Sequence, residues 1–236
     1  MPARTGAEYV AGLRERAAEV YLGGERVKDV TTHPALSNGA RSLAGLYDMQ
    51  HDPALREEMT YVSPTTGQRV GLSFITPHTL QELEQRRIMM THWARASCGM
   101  MGRTPDFLNV SMMAMAAAGD YFAQNRPEFK ENIQRYYQYV REHDLALTHT
   151  LVNLQRNRAP LATPLVDRTD VALSVARETD TGIVVRGARV LATLGPLADE
   201  IAVYPARSHL LPGAVQERYA FAFAIPCNTP GLKFLC

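Results

Sequence analysis

Cysteine is scarce: Cys98, Cys227 and Cys236 are the only three in a chain of 236 residues. An odd, widely spaced trio closes no disulfide framework and offers no CxxC pair for a structural zinc, so a reducing, cytoplasmic setting is expected. Charge of one sign is also missing. Lys and Arg total 25 against 24 Asp and Glu, a formal net charge of +1, whereas a dedicated nucleic-acid binder carries a basic excess. The longest uncharged apolar stretch, residues 107–119, falls short of the ~20 residues a spanning helix needs. Charges interspersed through the first twenty residues read as an amphipathic helix, not a signal peptide. HExxH spacing, a GxGxxG turn and a GxSxG elbow are all absent, so a zinc-protease site, a Rossmann dinucleotide site and a hydrolase nucleophile lack support. No metal site is expected, and the chain has neither internal repeats nor low-complexity segments.

What is there suits a folded protein. The chain is 46% hydrophobic and 21% charged, ordinary values that exclude wholesale disorder, and its length supports a real core. Tyr9, Val10, Leu13, Ala17 and Val20 recur at helical intervals over residues 6–20. Residues 22–77 mix turn signals with short apolar runs. A long helix is expected over residues 80–101, with Leu83, Ile88, Met89 and Trp93 on its apolar side, broken by Gly102 and Pro105. A second is expected over 107–125. Pro127 opens a third that runs to about Leu151, with Phe129, Ile133, Tyr136, Tyr137 and Val140 as its stripe. Met100, Met101, Met112, Met113 and Met115 read as core filler.

The texture changes after Pro160. Short β-rich runs appear at residues 170–175, 182–193, 199–206 and 219–225, and turns at Thr179–Gly182 and Pro212-Gly213. The reading is therefore α+β: a mainly helical domain over residues 1–150, then an all-β domain over 151–236. The last run ends without a closing element, the pattern of a piece of a longer protein.

Three stretches could carry chemistry. In GMMGRTPDFLN (99–109), Gly102 and Pro105 set Arg103 on a tight turn between helices, with Asp106 as an N-cap for the second. Arg103 reads either as a solvated connection residue or as a cation aimed at an anionic or phenolate oxygen. In LTHTLVNLQRNRAP (147–160), His149 is placed near a helix end, followed by Asn153, Gln155, Arg156, Asn157 and Arg158. His149 is either structural or functional, while the donor-rich cluster suits a phosphorylated or heterocyclic ligand. In residues 181–206, a hairpin, Thr193 at a strand end and a Gly-Pro turn read as a β-meander. The remaining histidines, His33, His51, His78, His92, His143 and His209, read as surface or core residues.

These stretches, with GERVKDVTTHPAL (24–36) and LAGLYDMQHDP (43–53), resemble the oxygenase component of two-component 4-hydroxyphenylacetate 3-monooxygenases. The resemblance runs from about residue 6 to the last residue. The β-region is similar, more loosely, to the middle domain of acyl-CoA dehydrogenases. The resemblance implies an N-terminal helical domain, a middle β-barrel of acyl-CoA dehydrogenase type, and a C-terminal tetramerising bundle that is absent here. It implies FAD, delivered reduced by a separate NAD(P)H:flavin reductase, and ortho-hydroxylation of a phenol with O2. It implies no metal, nucleic acid or membrane, and a homotetramer at full length.

Carried over residue by residue, the phenol oxygen falls to Arg103 and His149. The family tyrosine is Phe107 here, which removes one hydroxyl contact. Flavin contacts fall on His149, Thr150, Leu151, Gln155, Arg156, Asn157, Arg158 and Thr193. The turn that presents two hydroxyls to the substrate carboxylate reads Ala206-Arg207 here. Two rivals stand beside an active hydroxylase. One is a truncated chain that only binds or assembles. The other is a CoA-thioester dehydratase, for whose iron–sulfur ligands Cys98 alone lies in the right region.

Overall fold

The computed structural model describes residues 3–99, 105–154, 171–206 and 217–236. They divide into two compact units. The first comprises Met1–Leu147, Pro196–Asp199 and Cys227–Cys236; the second comprises Thr148–Gly195 and Glu200–Pro226.

The first unit opens with α1 (Gly6–Glu15), started by a capping box in which the Thr5 hydroxyl accepts from the Glu8 amide and the Glu8 carboxylate accepts from the Thr5 amide. A hairpin of β1 (Glu19–Leu22) and β2 (Glu25–Val27) turns at Gly23-Gly24, whose φ values of 58° and 90° suit glycine. Next come α2 (Ser37–Asp48), the one-turn α3 (Arg56–Met59), and an antiparallel pair of β3 (Thr60–Val62) and β4 (Arg69–Gly71). Then follow α4 (Leu80–Ala96), α5 (Pro105–Ala117), α6 (Gly119–Ala123) and α7 (Pro127–Glu142). A second capping box, Thr79 with Glu82, starts α4. Pro127 sits in the first turn of α7, where its missing N–H costs no helix bond.

Helices α1 and α2 pack through Tyr9 and Tyr47, whose rings stack at 5.0 Å. Their backbones come close: a Cβ on Gly6 would meet the Ala44 carbonyl oxygen at 2.5 Å, so only glycine fits there. Buried Met89 and Trp93 bring α4 to the same core, where the Trp93 indole donates to the Leu46 carbonyl at 3.2 Å.

The second unit starts in β5 (Leu147–Thr150). It contains the hairpin of β6 (Ser174–Thr179) and β7 (Gly182–Arg186), then β8 (Glu200–Val203) and β9 (Phe223–Pro226). The sheet order is β5-β8-β9, with Ile201 opposite Ile225 in the antiparallel β8–β9 pair and Ile201, Ala202 and Val203 buried. In the first unit, β10 (Lys233–Leu235) runs parallel to β1. The fold is thus a mixture of helices and strands, as expected. Among the described residues the strands form sheets of two or three and no closed barrel.

Several boundaries differ from the sequence reading. Helix α1 stops at Glu15, and Val20 is buried in β1. Helix α4 ends at Ala96, and the second expected helix divides at Ala118, whose ψ of 21° leaves the helical range. Leu83 is 52% exposed, whereas Arg86 is buried in its place, because Arg86 has a buried partner. Helix α7 does not reach Leu151. It closes in a Schellman-type turn: Asp144 adopts φ 48°, and the Leu145 amide donates to the Val140 carbonyl at 3.1 Å. Finally, Tyr219 lies in a 3-10 turn, leaving residues 223–226 as the strand.

Candidate functional site

The early end of α7 changes the setting of His149. It lies on β5, not at a helix end, because β-branched Thr148 and Thr150 alternate around it and favour extended backbone. Alternation sends the two threonines to one face and His149 to the other. The Thr148 hydroxyl donates to the Thr193 carbonyl at 2.6 Å, and the Thr150 hydroxyl donates to the Val190 carbonyl at 2.8 Å. An isolated bridge, Val152 to Val190, extends this lacing, with the Val190 amide donating to the Val152 carbonyl at 2.9 Å. Residues 190–193 are thereby tied along β5.

His149 is 7% exposed, and its ring meets Tyr204 edge-on, with centroids 6.1 Å apart. The Tyr204 amide donates to the Thr150 carbonyl at 2.9 Å, which fixes the tyrosine beside β5. Burial pushes the Tyr204 phenol up to about 12, so it remains a neutral donor at physiological pH. Thr150 is buried, Leu151 is 37% exposed, Thr193 is exposed in a turn, and Ala206 is buried. Arg189 stands next to this strip. Its Nη1 donates to the Asn153 side-chain oxygen, whereas its Nε and Nη2 are buried without an acceptor among the described residues. Sequence reasoning missed Tyr204 and Arg189; the only available signal was that both lie in the 181–206 stretch already singled out.

In the first unit, Phe107 projects from the first turns of α5 and is 45% exposed. Asp106 is not the N-cap of α5 but lies inside the helix, and its carboxylate accepts from Arg86 Nη2 in a buried ion pair. Burial raises the Asp106 carboxyl against the pull of Arg86. Arg86 Nη1 also donates to the Ser73 carbonyl, and the Asn109 amide donates to the Ser73 hydroxyl at 2.7 Å. Helix α5 is thus pinned to α4 and to residue 73 directly after the stretch that carries Arg103.

Arg103, Gln155, Arg156, Asn157, Arg158 and Arg207 lie outside the described residues. Of the expected flavin contacts, His149, Thr150, Leu151 and Thr193 come together in the second unit through the β5 lacing. Among the described residues, no group of three or more His, Cys, Asp or Glu side chains could hold a metal ion, and no helix is long and apolar enough to cross a membrane.

A helical unit and a small β unit, the latter carrying buried His149 on a threonine-laced strand, make a mixed helix-and-strand scaffold. The model of the family described as 4-hydroxyphenylacetate 3-hydroxylase N terminal matches residues 5–236, and the chain belongs to this family. It is 50% identical over 236 residues to the 4-hydroxyphenylacetate 3-monooxygenase oxygenase component of Geobacillus sp. (strain PA-9), covering 100% of this chain and 47% of that protein. It is 48% identical over 234 residues to the same component of Thermus thermophilus, covering 99% and 46%. The crystal structure of a 4-hydroxyphenylacetate 3-monooxygenase oxygenase component complexed with FAD and 4-hydroxyphenylacetate superposes with a TM-score of 0.88 at 47% identity, covering 99% of this chain and 47% of that one. The chain therefore spans about half the length of the curated relatives it matches.

Proposed function

We propose that this chain supplies the N-terminal part of the oxygenase component of a two-component, FAD-dependent aromatic monooxygenase. The substrate would be 4-hydroxyphenylacetate or a similar phenol, hydroxylated ortho to its oxygen. The carrying observation is the 47% identity, across nearly the whole chain, to an oxygenase component whose crystal structure holds FAD and that phenol. A separate NAD(P)H:flavin reductase, a cytoplasmic setting, a middle β-barrel and a full-length homotetramer belong to the same proposal.

The residues present fit a flavin. The two buried Arg189 nitrogens without an acceptor among the described residues suit a ligand rich in carbonyl and phosphate oxygens. His149, Thr150, Leu151, Gln155, Arg156, Asn157, Arg158 and Thr193 would hold it. The Thr150 hydroxyl is already committed to the Val190 carbonyl, so its contact would come from the backbone. Reduced FAD with O2 supplies the oxygen that enters the ring.

The chain's own residues do the rest. A phenolate is most nucleophilic at the carbons ortho and para to its oxygen, and the para position of 4-hydroxyphenylacetate is occupied. Arg103 would stabilise the phenolate as a fixed cation, and His149 would hydrogen-bond the phenol oxygen and take its proton. Phe107, Ala206 and Arg207 would shape the remainder of the substrate site, with Arg207 holding the carboxylate in place of hydroxyl donors. One oxygen atom of O2 enters the ring, the other leaves as water, and reduced FAD provides two electrons.

A second reading, favoured by the coverage of 47% of the Geobacillus relative, is that these 236 residues alone bind or assemble without turning over. Anaerobic titration of reduced FAD, followed by exposure to O2 with 4-hydroxyphenylacetate, tests both. Flavin binding with catechol formation supports the hydroxylase; binding without product supports the second reading; no flavin binding contradicts the hydroxylase and leaves the second reading only its assembling form.

A further inference from the structure

We infer that Arg189, resting on the flavin-hydroxylase reading above, is a cofactor-binding residue whose Nε and Nη2 donate to acceptor oxygens of the flavin. Its backbone is fixed by the Val152–Val190 bridge and by the Thr150 hydroxyl on the Val190 carbonyl. Its side chain is fixed by the bond from Nη1 to Asn153. The guanidinium is thus held within the second unit beside Asn153.

An arginine is charged at any physiological pH, and burying its N–H groups without acceptors is costly. Both Nε and Nη2 are in that state among the described residues. Carbonyls along this edge already accept: Val190 from Thr150, Thr193 from Thr148, Val152 from Val190, Thr150 from Tyr204, and Ala188 from Leu173. Burial also lowers the pKa of Arg189, against the opposing influence of the Tyr219 phenol. A rigid, planar fork of donors in this position matches a pair of ligand oxygens. Flavin offers such oxygens on its phosphates and on its pyrimidine ring, and neither source demands a further charged residue from the protein.

The test uses the full-length protein with Arg189→Met, which keeps the bulk and removes the charge, and Arg189→Lys. Affinities for reduced FAD and for reduced riboflavin are measured by anaerobic titration, and ligand-free melting temperatures by circular dichroism. A folded Arg189→Met variant should bind FAD at least tenfold more weakly, while melting without ligand no lower than the parent. Arg189→Lys should lose less affinity. If the phosphates are the partners, riboflavin affinity stays constant across the series; if the ring is, riboflavin weakens in parallel. Loss of FAD affinity below tenfold in a folded Arg189→Met variant, a lower ligand-free melting temperature for Arg189→Met, or failure of both variants to fold makes Arg189 structural and overturns the inference. A parent protein that binds neither flavin overturns the hydroxylase reading itself.

Discussion

Arg4 and Asp199 stand 195 positions apart and form a buried ion pair, with Arg4 Nη2 donating to Asp199 Oδ2 at 2.6 Å. Asp199 also accepts from Arg16 Nη2 at 2.9 Å and from the Ala146 amide at 2.8 Å, while its own carbonyl accepts from the Cys227 amide at 2.8 Å. One carboxylate residue thus binds the N-terminal segment, the end of the α7–β5 connection and the return of the chain at Cys227. Removing it with Asp199→Ala deprives buried Arg4 of its ion-pair partner, which should cost about 3–5 kcal/mol. Urea denaturation followed by circular dichroism checks this; a loss under 1 kcal/mol, the scale of a surface pair, would show that the cluster is not cooperative.

The Arg86–Asp106 pair makes a prediction of the same kind for the segment that follows Arg103. Asp106→Ala strands the Arg86 charge and should cost about 3–5 kcal/mol, whereas Arg86→Met with Asp106→Leu removes both charges and should cost much less. Equal losses in the single and double variants, measured by chemical denaturation, would contradict a buried, coupled pair.

Asp144 carries a pH prediction. Burial raises its carboxyl above the ordinary 3.8, against the Arg4 charge and the bond from Gln50 Nε2 at 2.7 Å. Between 3.8 and the raised native value, the folded protein holds a proton that the unfolded chain has released. Stability from this group is therefore fully present below 3.8 and falls as pH rises through that interval. Asp144→Asn keeps an acceptor for Gln50 and removes the titration. Subtracting its unfolding free energies from those of the parent, from pH 3 upward, should give a difference that shifts in favour of the variant as pH rises. A flat difference would contradict the prediction.

Phe107 bears on the proposed chemistry. If this wall lines the phenol site, Phe107→Tyr in the full-length protein restores one hydroxyl contact worth about 0.5–1.5 kcal/mol. The fraction of flavin oxidation that yields catechol from 4-hydroxyphenylacetate should rise, measured as catechol formed per reduced FAD consumed. An unchanged or lower fraction would point to a different phenol or to a packing role for residue 107.

The helical periodicities of α1, α4 and α7 were legible in sequence, as was the β6–β7 turn at Thr179–Gly182. The end of α7 was not: its left-handed residue is Asp144 rather than a glycine, and its apolar spacing runs on into β5, so His149 read as helical. Buried Arg86 was not singled out in sequence, because its partner, Asp106, lies on another helix and read as a cap. Asp199 carried no local signal, since the three donors to its carboxylate, Arg4, Arg16 and the Ala146 amide, come from distant parts of the chain. In the candidate site, His149 and Phe107 were named from resemblance to family blocks. Arg189 and Tyr204 acquire meaning only when β5 is laced to residues 190–193 and 204, a tertiary fact that no local pattern encodes.

The central claim is tested most directly by isotope transfer. Full-length protein is supplied with reduced FAD by a flavin reductase and NADH, together with 4-hydroxyphenylacetate under 18O2, and the product is analysed by mass spectrometry. The account predicts 3,4-dihydroxyphenylacetate carrying one 18O atom, with formation dependent on FAD and depressed in Arg103→Ala by about 2–4 kcal/mol of lost transition-state stabilisation. Flavin oxidation that leaves every tested phenol unhydroxylated, or a catechol whose new oxygen comes from water, would contradict it.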